Sequence, residues 1–202
     1  MASGSIITRA LSVGPEPLQR VRLGSRDVRR LLKRSPGVIP FIEQPEKCFV
    51  LENVAVEDDK VDLLVVEPGP RRASPDLYLV YLRWYRYGSR FEAYSADEAY
   101  WEIGHDIEAA SDSVAAVGEM GSSREQWALE LKRRIKERLG VKRLSVGEVY
   151  MIAVFDELPA SIIGMMDYVN DVVGAYVDAM QIQLFRGRGG CEMAVSSIYT
   201  WR

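Results

Sequence analysis

Residues 48–88 read CFVLENVAVEDDKVDLLVVEPGPRRASPDLYLVYLRWYRYG. Three runs rich in Val, Leu and Tyr alternate with an acidic stretch and a Pro/Gly/Arg loop. Cys48 to Val56 predicts one strand and Val61 to Val66 a second, joined by the polar turn Glu57–Lys60 at a spacing that suits an antiparallel hairpin. Beyond the loop EPGPRRASPD, the run DLYLVYLRWYRYG predicts a third strand reaching Gly88. A three-strand meander is the expected centre of the chain.

Upstream, Ser25 can cap a helix running to Arg34, with Val28, Leu31 and Leu32 on one face and Ser35-Pro36 as its stop. Downstream, Ser95 and Glu98 form a capping-box pattern that opens a helix to about Val117, with Ile103, Ile107 and Val114 inward. Ser123 and Gln126 repeat the pattern before a helix that turns Trp127, Leu131, Ile135 and Leu139 inward and stops at Gly140. Val149 to Phe155 is a continuous apolar run, suited to a strand covered on both faces. Ala160 to Gly174 has helical spacing, Asp178 to Arg186 alternates, and GRGG at 187–190 turns the chain into a last strand ending in Tyr199 and Trp201. The expectation is a single α/β domain: a mixed sheet flanked by helices, core order αβββαβ, a C-terminal hairpin, an N-terminal extension over 1–24 and a core over 25–200.

A chain of 202 residues, 48% apolar and 27% charged, has the composition of a folded domain and not of a disordered one. The apolar run from Leu158 to Met166 is too short to span a bilayer, and the N-terminus has no basic start followed by an apolar block, so a cytoplasmic protein with no membrane contact is expected. Two cysteines, Cys48 and Cys191, make no disulfide framework and read as buried, inert thiols. A single histidine, His105, removes multi-histidine metal sites and disfavours a Ser/His/Asp triad; no metal or cofactor is expected. Asn53 and Asn170 are the only asparagines while Arg and Glu abound, a bias of thermophiles that high genomic GC content also produces.

The net charge of −3 hides alternating blocks: +6 over residues 1–40, −6 over 41–68, +3 over 69–92, −7 over 93–120, +5 over 121–143 and −4 thereafter. Such blocks are the pattern of solvated faces; if the basic ones converge they form a positive groove.

The order of helix, meander, helix and strand resembles the PD-(D/E)XK, restriction-endonuclease-like superfamily, and within it mismatch endonucleases of the NucS/EndoMS kind. KVDLLVVEP at 60–68 is similar to that group's first motif strand, YLVYLRWYR at 78–86 to the second, and the helix from Ser95 to the third element. MIAVFDELPASIIGMMDYV followed by MQIQLFRG resembles its distal strand–helix–strand part. The resemblance implies metal-dependent cleavage by two carboxylates and a lysine. Asp62 stands at the first acid. The glutamate position reads Tyr81 and the lysine position Arg83; tyrosine is a poor Mg²⁺ ligand, and arginine stays protonated and cannot act as a base. The helix glutamine falls near Glu102. Asp62 is thus a remnant candidate, and Glu52, Glu67 and Asp76 are the acids from which a rearranged site would draw.

In an extended strand, Tyr81, Arg83, Tyr85 and Tyr87 share one face, about 6.6–6.8 Å apart. Such a row offers rings on which unpaired bases stack and a guanidinium for phosphate. Arg71, Arg72, Arg86 and Arg90 flank it, and Arg133, Arg134 and Lys136 form a rim if their helix packs nearby. The same tyrosines also suit burial under a helix or against a second subunit. The aromatic–basic strand is similar to that of the archaeal ThermoDBP-related single-stranded-DNA-binding proteins, which implies sequence-independent binding by an oligomer without catalysis. The leading expectation is a non-catalytic binder of single-stranded DNA or RNA, assembled as a dimer or tetramer. The alternatives are a metal-dependent DNA endonuclease with a rearranged site around Asp62, and a structural subunit whose aromatic row holds a protein partner.

Overall fold

The computed structural model describes residues 5–11, 19–70, 73–186 and 192–200. Eight strands form one mixed sheet: β1 (Ser5–Leu11), β2 (Gln19–Val21), β3 (Phe49–Val56), β4 (Asp59–Glu67), β5 (Asp76–Tyr81), β6 (Val149–Phe155), β7 (Val177–Arg186) and β8 (Glu192–Thr200). Their order is β1-β8-β7-β6-β5-β4-β3, with β2 beside the end of β7. The meander β3-β4-β5 is antiparallel, β5-β6 and β6-β7 are parallel, and β7-β8-β1 is antiparallel again. The α/β class, the mixed sheet and the flanking helices are as expected. The supposed extension contributes two strands, β1 against β8 and β2 against β7.

The helices are α1 (Ser25–Arg34), α2 (Ala96–Ala99), α3 (His105–Gly118), α4 (Gln126–Leu139) and α5 (Ala160–Tyr168). A π turn, Tyr100–Gly104, joins α2 to α3, and a second, Val169–Val173, extends α5. The expected capping box is present: the Glu98 amide donates to Ser95 Oγ at 3.3 Å and the Ser95 amide to Glu98 at 2.7 Å. The other caps differ. Helix α1 is capped at Gly24, whose amide donates to Asp27 at 3.0 Å, so Ser25 is its first residue. Helix α4 starts at Gln126 with no side-chain cap and stops at Gly140, whose φ of 68° suits a residue without Cβ.

Each face of the sheet covers its own core. On one side Leu79, Tyr81, Met151 and Phe155 pack under Ile107 of α3, Leu131 of α4 and Met165 of α5. On the other, Leu63, Val80, Ile152 and Met180 pack under Val28 and Leu32 of α1. Cys48 is half-buried, and desolvation pushes its thiol up to about 12, which keeps it protonated and inert. Cys191 lies outside the described residues, as do the GRGG segment and Trp201.

Strand alternation breaks once, and this sets the direction of Asp62. Leu51, Val54 and Val56 share one core with Val61, Leu64 and Val66, whereas Leu63 and Val65 join the other. Both strands therefore skip a beat beside Asn53, whose φ is 49°, while the register is kept, Glu52 pairing with Leu63 and Val54 with Val61. Asp62 consequently meets α1, where Arg29 donates to Asp62 at 2.5 Å and to Asn53 at 3.1 Å.

Candidate nucleic-acid interface

The aromatic strand does not continue to Gly88. Strand β5 ends at Tyr81, and residues 83–92 form successive turns closed by Tyr85 N–H to Leu82, Tyr87 N–H to Trp84 and Arg90 N–H to Tyr87. Its neighbours do not stop there: Leu63 pairs with Val80, so β4 reaches to opposite Trp84, and Val80 pairs with Ile152, so β6 reaches to opposite Arg83. The chain leaves the ladder first, at Leu82, whose amide donates to the Asp62 side chain at 2.8 Å, and the backbone turns from Arg83 onward.

The expected row is dispersed as a result. Tyr81 is 0% exposed, its hydroxyl donating to Asp59 at 2.9 Å and to the Ala110 carbonyl at 3.4 Å. Tyr85 is 3% exposed in the opposite core and donates to the Ile182 carbonyl. Tyr87 is half-buried and stacks on Phe91. Arg83 clamps Asp59 at 3.0 and 3.1 Å and lies 4.7 Å from the centroids of both Tyr81 and Trp84. Arg90 lies over Tyr87 and Phe91 and is 3.9 Å from Glu102. These rings cannot stack on bases, because protein already covers them. Desolvation raises the Tyr81 hydroxyl and pushes Tyr85 up to about 12, where the Asp156 charge adds to it. For Asp59, burial works upward, but the Lys60 amide, the Tyr81 hydroxyl and Arg83 outweigh it and hold the carboxyl below its ordinary value.

Asp62 lies beside the end of β5, where it hydrogen-bonds with neither Tyr81 nor Arg83. Its carboxylate accepts from the Leu82 amide at 2.8 Å and from Arg29. Glu52 pairs with Lys33 at 2.6 Å, and Glu67 is buried, accepting from the Glu43 and Gln44 amides and the Tyr78 hydroxyl. Asp76 accepts from the Glu148 amide. Among the described residues no group of three His, Cys, Asp or Glu side chains is placed to hold a metal ion. Arg71 and Arg72 lie outside the described residues. Arg133 pairs with Glu130 and Glu137 of its own helix, and α4 packs towards β3, so it provides no rim beside β5 and β6.

What the turn does build is a crevice of about 780 Å³ beyond the carboxyl ends of β5 and β6, where open α/β sheets bind ligands. Arg20, Arg22, Gly24, Tyr85, Arg86 and Asp156 are among its lining residues. Its acids are engaged. Asp156 accepts from the Ser89 amide and hydroxyl and from the Glu157 amide. Glu157 pairs with Arg20 at 2.8 Å, and Asp27 caps α1. Arg22 and Arg86 are exposed and have no acidic partner among the described residues. The Arg86 guanidinium lies over Gly24, where an added Cβ would come within 3.7 Å of it. The N-terminus of α1, with its Gly24 amide taken by the Asp27 carboxylate, thus lies beside Arg86. Of these residues Tyr85 and Arg86 were singled out in the sequence, Tyr85 as a stacking ring and not as a buried wall. The basic block over 1–40 was the signal for Arg20 and Arg22, but nothing local showed that β2 would bring them to the end of β6.

The chain matches no protein-family model, no curated protein and no solved structure.

Proposed function

We propose that the protein binds single-stranded nucleic acid without cleaving it, through the phosphate backbone at the arginine crevice and not through a stacking row. The observation that carries this reading is the pair Arg22 and Arg86, free of acidic partners in a crevice whose carboxylates are already engaged. Guanidinium forks match phosphate oxygens in pairs. A recess of this size admits a flexible single strand more readily than a rigid duplex. With Tyr85 buried there is no stacking platform, so binding is modest, insensitive to base and strongly dependent on salt. The element order α1, β3, β4, β5, helices, β6 also supports a nuclease-like ancestry. In such a fold the Arg29–Asp62 bond occupies the one motif acid that remains.

The test is fluorescence anisotropy with a labelled oligothymidine and a matching duplex, in EDTA, over a salt series. Two phosphate contacts give a log–log salt slope of about −1.4, so affinity falls about sevenfold between about 50 and 200 mM salt. Each of Arg22→Ala and Arg86→Ala should reduce the slope by about 0.7. Affinity and slope that are unchanged in the double variant overturn the proposal.

A further inference from the structure

The most exposed aromatic surface lies away from this crevice, where the two π turns meet. Tyr100, which opens the first, packs edge-on against Tyr168, which precedes the second, with ring centroids 4.8 Å apart. Beside them Trp101 is 73% exposed, Val172 64% and Tyr176 75%. Tyr176 also has φ 50°, a strained setting for a bulky side chain and one that natural structures retain mostly at functional positions. π turns within helices concentrate at such positions too. Between α3 and the loop after the second π turn runs a groove of about 630 Å³, lined by His105, Glu108, Asp112, Val173 and Tyr176. Trp101 extends the same surface, its ring 5.2 Å from His105.

The charge on this face says what would cover it. Residues 93–120 contain seven acids and no lysine or arginine. Glu108 is partly engaged by the Tyr100 hydroxyl and His105, while Asp112 and Asp171 are exposed and have no cationic partner among the described residues. A nucleic acid is repelled here, and so is a second copy presenting the same face. Aromatic faces beside free carboxylates select a cation that is both planar and able to stack, which describes arginine better than lysine. We infer that this groove docks an arginine-bearing segment of a partner protein, with a guanidinium between Asp112 and Glu108 and its plane against Trp101 or Tyr176. The inference does not depend on the crevice.

Labelled octa-arginine, octa-lysine and octa-glutamate peptides, titrated into the full chain at about 100 mM salt, test it. Octa-arginine should bind more tightly than octa-lysine, and octa-glutamate should not bind. Trp101→Ala and Tyr176→Ala should each weaken octa-arginine about three- to tenfold and reduce its advantage over octa-lysine. Both side chains are exposed, so the melting temperature reports that the fold is intact; Arg22→Ala/Arg86→Ala should leave peptide binding unchanged. Three results overturn the inference. The first is equal binding of the two basic peptides with no effect of Trp101→Ala, which describes a diffuse acidic field. The second is oligothymidine affinity that depends on Trp101. The third is self-association, seen by sedimentation, that Trp101→Ala abolishes.

Discussion

Tyr81 separates a stacking surface from a core residue, because the two roles predict opposite results for one substitution. Its ring is fully enclosed between β5 and α3, its hydroxyl donates to Asp59 at 2.9 Å, and Arg83 lies against its face. Tyr81→Phe keeps the ring and removes the hydroxyl from a carboxylate that retains Arg83 and the Ser113 hydroxyl at 3.3 Å. A hydrogen bond to a charged group in this setting is worth about 1–2 kcal/mol. In a domain of this length that is a fall of about 2–8 °C in Tm. Tyr81→Ala also removes the ring and leaves a cavity, at about 3–5 kcal/mol. Calorimetry of wild type and both variants, with oligothymidine anisotropy at a temperature where all three are folded, gives the answer. The expected pattern is a graded loss of Tm with affinity constant within about twofold, since a ring that nothing reaches contributes no stacking energy. A Tyr81→Phe variant with unchanged Tm, or a folded Tyr81→Ala variant that loses most of its affinity, would refute the assignment of Tyr81 to the core.

Asp59 makes stability dependent on acid. Its carboxyl lies below the ordinary value in the folded chain, so its contribution is present above the unfolded value near about 3.9 and is lost as pH falls through the folded value. Asp59→Asn should therefore melt below wild type at pH 7, and the gap should close on acidification; a gap that widens towards pH 3 contradicts the geometry. Gly88 sits where an added Cβ would be 1.9 Å from the Glu157 carbonyl, so Gly88→Ala should displace the turn segment and cost about 1–3 kcal/mol or more by thermal melting. Gly118, at the end of α3 in right-handed geometry with nothing within 4 Å of an added Cβ, should respond the other way. Gly118→Ala is expected to gain about 0.5–1 kcal/mol.

The meander, the continuous apolar strand β6 and the Ser95 capping box were legible because their signals are local: alternation, apolar runs, a hydroxyl three residues before a glutamate. What the sequence concealed depends on neighbours distant in the chain. Strand β2 is three residues, Gln19–Val21, with no strand propensity of its own, and exists because the end of β7 lies beside it. Strand β5 ends at Tyr81 although β4 reaches to opposite Trp84 and β6 to opposite Arg83, and the aromatic content of residues 82–87 argues for continuing. Propensity alone therefore extends the strand, whereas the chain departs where the Leu82 amide turns to the side chain of Asp62, a contact that no local pattern announces. The candidate site was misread for the same reason: its residues were grouped by strand alternation where the chain has turned.

That turn distributes the arginines. In a strand, Arg83 would follow Tyr81 on one face; in the turns, Arg83 folds back on Asp59, Arg86 reaches the crevice, and Arg90 crosses Tyr87 towards Glu102. One segment thus pairs with a half-buried carboxylate, supplies an unpaired guanidinium to the crevice and borders the acidic aromatic face. The net charge of −3 conveys none of this, since exposed charges more than about 8 Å apart are largely screened at physiological salt. In the two proposals a phosphate at the crevice meets Arg22 and Arg86, and a guanidinium at the π turns meets Asp112 and Glu108. Unpaired arginines and unpaired carboxylates can therefore act at separate sites on one small domain, each read by contacts at its own range. The exposed Arg90–Glu102 pair, at 3.9 Å, is too weak to link them energetically.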